Sequence, residues 1–371
     1  THDSTDWLAS GFSLDPLCGT INRMRTESRE EVVRPLGVIG CLTSGFEMVS
    51  RHLWLILLPI LLDLLLWLGP RVSVAPLLQE FIELFSSQGT TDPNLIAHVA
   101  LLTEMMGDIG EQLNVLSLLS GLPLFTVPSL MARHPPGLLW PFGQGGVVLV
   151  SGPLALLGWW VLLLPVGLLL GFAYLVSIAE IVRRLPSRQS RPATQSRAHA
   201  AADSVQRTPT RLGQLARFLL FAGLILGAQM ILIPIGLLVV GVVAAIVQPI
   251  GILLWLFGAG LVLFVVLQLV FVIQGLVLGQ RGLLRAILES FLLVRTQFVS
   301  VIGLVVLCLI VYEGLGHLWA VPAADSWTLS VGILANACVG TGLTAATFVF
   351  YRERIMYIPQ LRQVSSRGGT E

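Results

Sequence analysis

Long apolar runs separated by short polar segments dominate the chain. A hydrocarbon core about 30 Å thick needs roughly 20 apolar residues in helical form, and six runs approach or exceed that length. They cover residues 53–69, 153–182, 218–247, 250–278, 298–319 and 327–351. Because these runs are apolar on all sides, we predict an all-α integral membrane protein, built as a six-helix transmembrane bundle of three hairpins.

Arginine is distributed unevenly among the segments that connect the runs. It is frequent before the first run, between the second and third, between the fourth and fifth, and after the sixth. The other connections contain few arginines or none. Since cations beside a span are retained on the cytoplasmic side of a membrane, this alternation predicts that both termini are cytoplasmic.

The connections also predict how the chain is divided. The expected parts are a disordered cytoplasmic N-terminus (1–34), an interfacial helix with the first span (35–69), an extracytoplasmic helical segment (70–152), the second span (153–182), a basic cytoplasmic linker (183–217), the hairpin of spans three and four (218–278), an interfacial helix with spans five and six (279–351) and a cytoplasmic tail (352–371). The arginines of the linker either contact anionic headgroups or only determine topology. Met24 opens a plausible cytosolic start, so we expect residues 1–23 to take no part in the fold.

Two short amphipathic stretches, each followed directly by a span, resemble one another. Residues 44–54 are Ser-Gly-Phe-Glu-Met-Val-Ser-Arg-His-Leu-Trp, and residues 289–299 are Glu-Ser-Phe-Leu-Leu-Val-Arg-Thr-Gln-Phe-Val. On the polar faces, Glu47 pairs with Arg51 and Arg285 with Glu289 at i,i+4 spacing. The predicted apolar faces are Leu42, Phe46 and Val49 in the first helix, and Leu284, Ile287, Leu288, Phe291 and Leu292 in the second. Such helices lie flat at a membrane surface, and a weaker echo over residues 215–220 predicts a third one.

The longest segment outside the membrane contains a heptad pattern. Asp92 and Pro93 are a helix-start signal, and apolar residues then recur at alternating spacings of four and three. They are Leu95, Val99, Leu102, Met106, Ile109, Leu113 and Leu116, and a shorter helix over residues 76–85 offers a companion stripe. Either the two helices pack on each other and on the bilayer rim, or the seam from Leu95 to Leu113 docks a membrane-protein partner.

Ionisable side chains inside hydrocarbon are costly and therefore mark candidate sites. Asp63 lies four residues after Pro59 in the first span, while Glu313 and His317 lie one turn apart in the fifth. They form either a proton- or cation-linked site or, for Asp63, a hydrogen bond between packed helices. No arginine within the spans is available to neutralise the acids. Neutral candidates for bonds between helices are Gln229, Gln268, Gln274 and Asn336.

Composition narrows the class of function. The chain of 371 residues is 55% hydrophobic and 12% charged, with a mean hydropathy of +0.84. All 22 basic residues are arginine, which excludes P-loop, kinase and Schiff-base lysines, and a net charge of +1 does not favour nucleic acid. The four cysteines, Cys18, Cys41, Cys308 and Cys338, lack metal-ligand spacing. We expect no metal, no cofactor and no enzymatic activity, because catalytic motifs are also absent.

The two amphipathic helices that lead into spans one and five resemble those of six-span bacterial membrane proteins of uncharacterised function. They are also distantly similar to the membrane domain attached to some glycerophosphodiester phosphodiesterases. The resemblance is carried by Ser-Gly-Phe-Glu-Met-Val-Ser-Arg running into Trp-Leu-Ile-Leu-Leu-Pro, and by Ser-Phe-Leu-Leu-Val-Arg-Thr-Gln. It implies a protein of a bacterial cytoplasmic (inner) membrane, and it supplies no catalytic residues.

Two functions are therefore expected from the sequence. The first is a non-enzymatic scaffold or accessory subunit of a membrane complex, which acts through its spans and its external heptad helix. The second is a small-solute or lipid transporter with a proton- or cation-linked site near Asp63. A transporter needs a polar, water-accessible cavity that joins Asp63 to Glu313, whereas a scaffold has a filled bundle and an exposed seam.

Overall fold

The structure is a computed structural model that describes residues 36–86, 103–104, 107, 110, 113–120, 127–135, 139–141, 143–144, 146–185, 211–279, 282–322 and 325–367. It contains five helices that are long and apolar enough to cross a membrane, or six if one bent pair is a single span. This confirms the prediction of a helical, multi-pass membrane protein.

The first two helices form the bent pair. Helix α1 (Val38–Arg51) is amphipathic, and after His52 a 3-10 turn (Leu53–Ile56) leads into the apolar helix α2 (Leu57–Leu68). The two helices meet at an angle of 94°. This bend is the geometry expected when a helix at a membrane surface continues into one that enters the bilayer.

Short strands lie in the connection that follows α2. Strand β1 (Arg71–Ser73) pairs in parallel with β4 (Val147–Leu149), while β2 (Leu139–Trp140) and β3 (Gly143–Gln144) form an antiparallel hairpin. The all-α prediction was wrong here, because β-branched residues after the break at Gly69 favour extended backbone. Helix α3 (Ala75–Ser86) covers the predicted companion helix.

Four helices make up the middle of the chain. Helix α4 (Pro153–Arg184) begins with a proline in its first turn, the position where the missing N–H costs nothing. Helix α5 (Arg211–Ile246) forms a hairpin with α6 (Gln248–Leu269), and the short, fully buried helix α7 (Val272–Val277) follows. The predicted interfacial helix over residues 215–220 was wrong, since these residues are continuous with the rest of α5.

The C-terminal helices resemble the beginning of the chain. Helix α8 (Leu283–Thr296) is amphipathic, α9 (Phe298–Trp319) matches the predicted fifth span, and α10 (Leu329–Arg367) is the longest helix of the described chain. The hinge residues correspond, because His52 after α1 (φ −133°, ψ 61°) and Gln297 after α8 (φ −126°, ψ 32°) adopt similar backbone conformations. The predicted repeat is thus visible in the backbone.

The repeat also buries equivalent positions. Helix α1 buries Cys41, Gly45, Met48 and Val49, and α8 buries Ala286, Ser290, Leu293 and Val294 at the corresponding places. Of the predicted apolar faces only Val49 is buried, while Leu284 is 77% exposed and Leu288 68%. Lipid can cover large apolar side chains at a membrane surface, while close helix packing selects small residues.

Helix α10 forms the centre of the packed core. A Cβ atom on Gly45 of α1 would lie 2.6 Å from the carbonyl oxygen of Gly342 and 2.7 Å from the backbone nitrogen of Ala346. The ring of Phe46 covers Gly342 in turn. Helices α1 and α10 therefore touch backbone to backbone, which only residues without a side chain allow.

Candidate functional site

Asp63 binds a loop rather than another helix. It lies in α2 and is 0% exposed. Its Oδ1 accepts hydrogen bonds from Ser129 Oγ (2.5 Å) and the Met131 N–H (3.0 Å), and its Oδ2 accepts one from the Leu130 N–H (3.0 Å). These donors belong to residues 127–135, called here the inserted segment. The carboxylate is the anchor that holds this segment against the bundle.

The inserted segment packs between helices because α10 has a glycine at the point of contact. Val127, Pro128, Ser129, Leu130 and Met131 are all buried. Pro128 packs directly on Gly340 of α10, at a distance that leaves no room for a Cβ atom. The absence of a side chain at Gly340 therefore decides where the segment enters.

The same segment contacts the two other ionisable candidates. Arg133 forms an ion pair with Glu313 of α9 and also lies over the ring of Tyr312, with its guanidinium carbon 3.8 Å from the ring centroid. The spans themselves contain no arginine, as the sequence shows, but Glu313 is paired by an arginine from outside them. Arg133 is not in a span, but the loop that carries it folds back onto α9.

Two histidines complete this end of the molecule. The ring of His134 meets that of His317 edge to face, with 4.7 Å between centroids. Burial, the neighbouring His317 and the charge of Arg133 lower the pKa of His134, against a smaller opposite effect of Glu313. His134 Nε2 and Arg133 Nη1 are buried atoms with no hydrogen-bond partner in the described part of the chain, and both face the open side of Gly316.

The three predicted ionisable residues are thus connected only through the inserted segment. Asp63 contacts one part of the inserted segment, whereas Glu313 and His317 contact the next part. Because both Asp63 oxygens accept hydrogen bonds and the residue is fully buried, the carboxylate is closed to water and ions. This geometry is that of a structural anchor, although the donors belong to a loop and not to a packed helix as the sequence predicted.

The neutral polar candidates are distributed over several helices. Gln274 of α7 donates from Nε2 to Thr347 Oγ1 of α10 (3.1 Å). Asn336 is 1% exposed, and among the described residues its Nδ2 has no partner and Gln268 Oε1 accepts no hydrogen bond. Another buried bond, from Tyr174 OH to Thr341 Oγ1 (3.1 Å), follows the same face of α10. The sequence did not reveal this polar stripe of threonines, because threonine is ordinary in a span.

At the arginine-rich end of the bundle, arginines bond to helix ends. Arg352 donates to the carbonyl oxygens of Val182 and Leu185 (2.7 Å each), and Arg183 donates to those of Val277 and Leu278. Carbonyl groups at a helix C-terminus have no partner within the helix, so cations stabilise them. These two arginines therefore have a role in the fold in addition to any role in topology.

The predicted docking seam lies mostly outside the described residues. Leu95, Val99, Leu102, Met106 and Ile109 are among the residues not described, so the seam stays a prediction. Leu113 is described and is 46% exposed. Leu116 is buried in a 3-10 turn (Val115–Ser120), so the seam does not continue as an α-helix to that residue.

Comparison with known proteins identifies no match for this chain. No family model, no curated protein and no solved structure matches it. The resemblance to six-span bacterial proteins and to the phosphodiesterase membrane domain therefore stays a prediction.

Proposed function

We propose that the protein is a non-enzymatic scaffold or accessory subunit of a membrane complex, in a bacterial cytoplasmic membrane with both termini in the cytoplasm. The observation that carries the proposal is the exposure of the outer part of the α5–α6 hairpin. After Leu226 no residue of α5 is buried, and in α6 only Gly251 is. The outer part of the hairpin thus packs only on itself, within the described chain, and offers its other faces to a second protein.

A polar side chain on this hairpin supports a protein partner rather than lipid alone. Gln229 lies 12 residues after Arg217, so the two are about 18 Å apart along the helix axis. Within the described residues its amide makes no hydrogen bond. Acyl chains offer neither donors nor acceptors, whereas a helix of a partner protein offers both. Gln229 therefore favours a transmembrane helix with a polar residue at the same depth.

The length of α5 points to the same conclusion. Its apolar part, from Phe218 to Ile246, is about 43 Å long at 1.5 Å per residue, against a hydrocarbon core of about 30 Å. Such a helix must tilt by more than the roughly 40° that membrane helices reach, or project from the hydrocarbon. Packing against neighbours determines tilt, and the outer part of α5 has only α6 as a neighbour in the described chain.

A transporter of a small solute or lipid, with a proton- or cation-linked site near Asp63, is the alternative. It requires Asp63 to exchange a proton or an ion with water. The three hydrogen bonds from the inserted segment occupy the carboxylate instead. The expected result of Asp63→Asn is accordingly a change in stability, and loss of uptake in vesicles without loss of fold would favour the transporter.

Site-specific photocrosslinking tests the scaffold directly. A benzoylphenylalanine replaces either Phe257 of the hairpin (70% exposed) or, as a matched control, Phe298 of α9 (48% exposed) in the native membrane. We expect Phe257 to yield a covalent adduct with a second polypeptide of defined mass, and Phe298 to yield lipid adducts. Adducts with lipid alone at both positions would contradict the proposal.

Two double variants locate the contact. Gln229→Leu with Gly236→Leu is expected to abolish the adduct, because it removes the polar group and fills a position with no atom within 4 Å. Leu102→Glu with Ile109→Glu tests the external seam and is expected to reduce the size of the complex on native gels. If neither variant changes adduct or complex size, the partner does not bind where we propose.

A further inference from the structure

A cavity of about 250 Å³ lies inside the bundle between α4, α7, α9 and α10. Pro128 and Gly340 border one end, and Gln274 and Thr347 border the other. Gly340 and Thr347 are seven residues apart on α10, so the cavity is about 10 Å long.

The cavity is open on the side of α9. Leu309 lines it and is 53% exposed, and Cys308 beside it is half-buried. This surface belongs to α9, a helix that is long and apolar enough to cross a membrane. A molecule dissolved in the bilayer can therefore enter sideways without passing through water.

One polar group in the cavity lacks a partner. Gln274 is 8% exposed, and its Oε1 accepts no hydrogen bond from any residue that the structure describes. Neighbouring bonds determine the orientation of the amide: Thr347 Oγ1 donates its single proton to the Thr344 carbonyl oxygen (2.7 Å), so it must accept one from Gln274 Nε2. Rotating the amide would place two acceptors together. The free group is therefore an acceptor, and a buried acceptor without a donor is costly.

The lining also excludes charged ligands. No Asp, Glu, Arg or His is among the described residues that border the cavity. Besides Cys308, Tyr312, Thr344 and Thr347, the walls are mostly apolar side chains such as Leu175, Leu304 and Leu343. An ion would lose its hydration without compensation. A ligand must therefore be uncharged and must supply a hydrogen-bond donor to Gln274. A neutral hydroxyl on a hydrocarbon chain does both, because it donates one hydrogen bond and its chain matches the apolar walls.

We propose that this cavity binds a neutral long-chain alcohol, or the free hydroxyl of a neutral lipid, with the hydroxyl donating to Gln274 Oε1 and the chain leaving beside Leu309. The site does not involve the outer part of the α5–α6 hairpin and does not depend on the scaffold function. It shares the inserted segment only through Pro128, which closes one end of the cavity.

Photolabelling with a chemically matched pair of competitors tests the site. The full-length protein is reconstituted in dioleoyl phosphatidylcholine vesicles with dodecanol that carries a diazirine on its chain, and labelled peptides are mapped by mass spectrometry. We expect labels on α9 around Cys308 and Leu309. Unlabelled dodecanol should compete roughly three- to tenfold better than dodecyl methyl ether, which has the same chain and no donor.

Two variants distinguish the contribution of the Gln274 hydrogen bond to binding from that of the shape of the cavity. Gln274→Leu is expected to remove the preference for the alcohol over the ether. Gln268→Leu, a glutamine that does not border the cavity, is the control and should keep it. Dioleoylglycerol as a further competitor distinguishes a lipid hydroxyl, if it competes, from a simple alcohol, if it does not.

Either of two results would overturn the proposal. One is equal competition by alcohol and ether in the unmodified protein, which shows apolar filling only and does not depend on any variant folding. The other is labelling spread evenly over the lipid-facing helices, without enrichment near Cys308 and Leu309.

Discussion

The bundle around α10 and the α5–α6 hairpin are both apolar, yet they differ in how they are packed. In the most apolar window of α10, 67% of the residues are buried inside the protein, whereas none is in the corresponding window of α5. Helix α10 has glycine, alanine and threonine where neighbours approach, and α5 has glycines that face no atom within 4 Å. Hydrophobicity therefore places a helix in the membrane, while small residues opposed to a neighbour determine whether it joins a core.

The largest expected effect is the difference in stability between glycine substitutions in the two regions. Gly45→Leu should lower the free energy of unfolding by about 3 kcal/mol or more, since a side chain there meets the backbone of Gly342 and Ala346. Gly236→Leu should leave stability unchanged or slightly higher, because the position is open and leucine favours helix. Unfolding of purified protein in mixed micelles measures both. Equal losses at the two positions would show that the hairpin is packed in the free protein.

Removal of the Asp63 anchor comes next. Asp63→Leu leaves the Ser129 hydroxyl and the N–H groups of Leu130 and Met131 without acceptors, and we expect a loss of about 2–5 kcal/mol. Asp63→Asn keeps the shape and one acceptor, so its loss should be smaller. Proteolysis at residues 127–135 in the folded protein measures release of the inserted segment. Resistance equal to that of the unmodified protein in both variants would contradict an anchoring role.

The ion pair of Arg133 and Glu313 should contribute less. Their side chains are 25% and 52% exposed, and ion pairs so accessible to solvent are worth about 1 kcal/mol or less. A double-mutant cycle with Arg133→Gln and Glu313→Gln, followed by unfolding, measures the coupling. Because Arg133 also stacks on Tyr312, Arg133→Gln alone should cost more than Glu313→Gln alone. The reverse order would show that the charge pair outweighs the stacking.

The smallest expected effect depends on pH. The fold lowers the pKa of His134 below its ordinary value of 6.5, so the unfolded chain binds the proton first. The contribution of the neutral His134 ring to stability is therefore fully present above about pH 6.5. It decreases as the pH falls below that value. His317, Arg133 and Glu313 face this ring, and only Glu313 favours the charged form. Melting temperature at about pH 7.5 and pH 5.5 should differ slightly, and His134→Gln should reduce that difference.

Local features were predictable where they depend on neighbours in the chain. The fifth span was bounded correctly, and both i,i+4 pairs formed, Arg51 with Glu47 (2.6 Å) and Arg285 with Glu289 (3.6 Å). The inserted segment was not predictable, since Asp63 finds its donors far along the chain in a stretch that resembles an ordinary loop. Arg133 was missed for the same reason.

The sequence by itself determined that this is a multi-pass helical membrane protein, because long apolar helices have no stable alternative to a lipid environment. It also determined the repeat of an amphipathic helix, a polar hinge and a span. Only the tertiary structure decided which face of α1 and α8 is buried, that Asp63 holds a loop, and that Gln274 borders a cavity. Each of these features depends on how closely folding brings distant parts of the backbone together. The order of residues along the chain does not specify those distances.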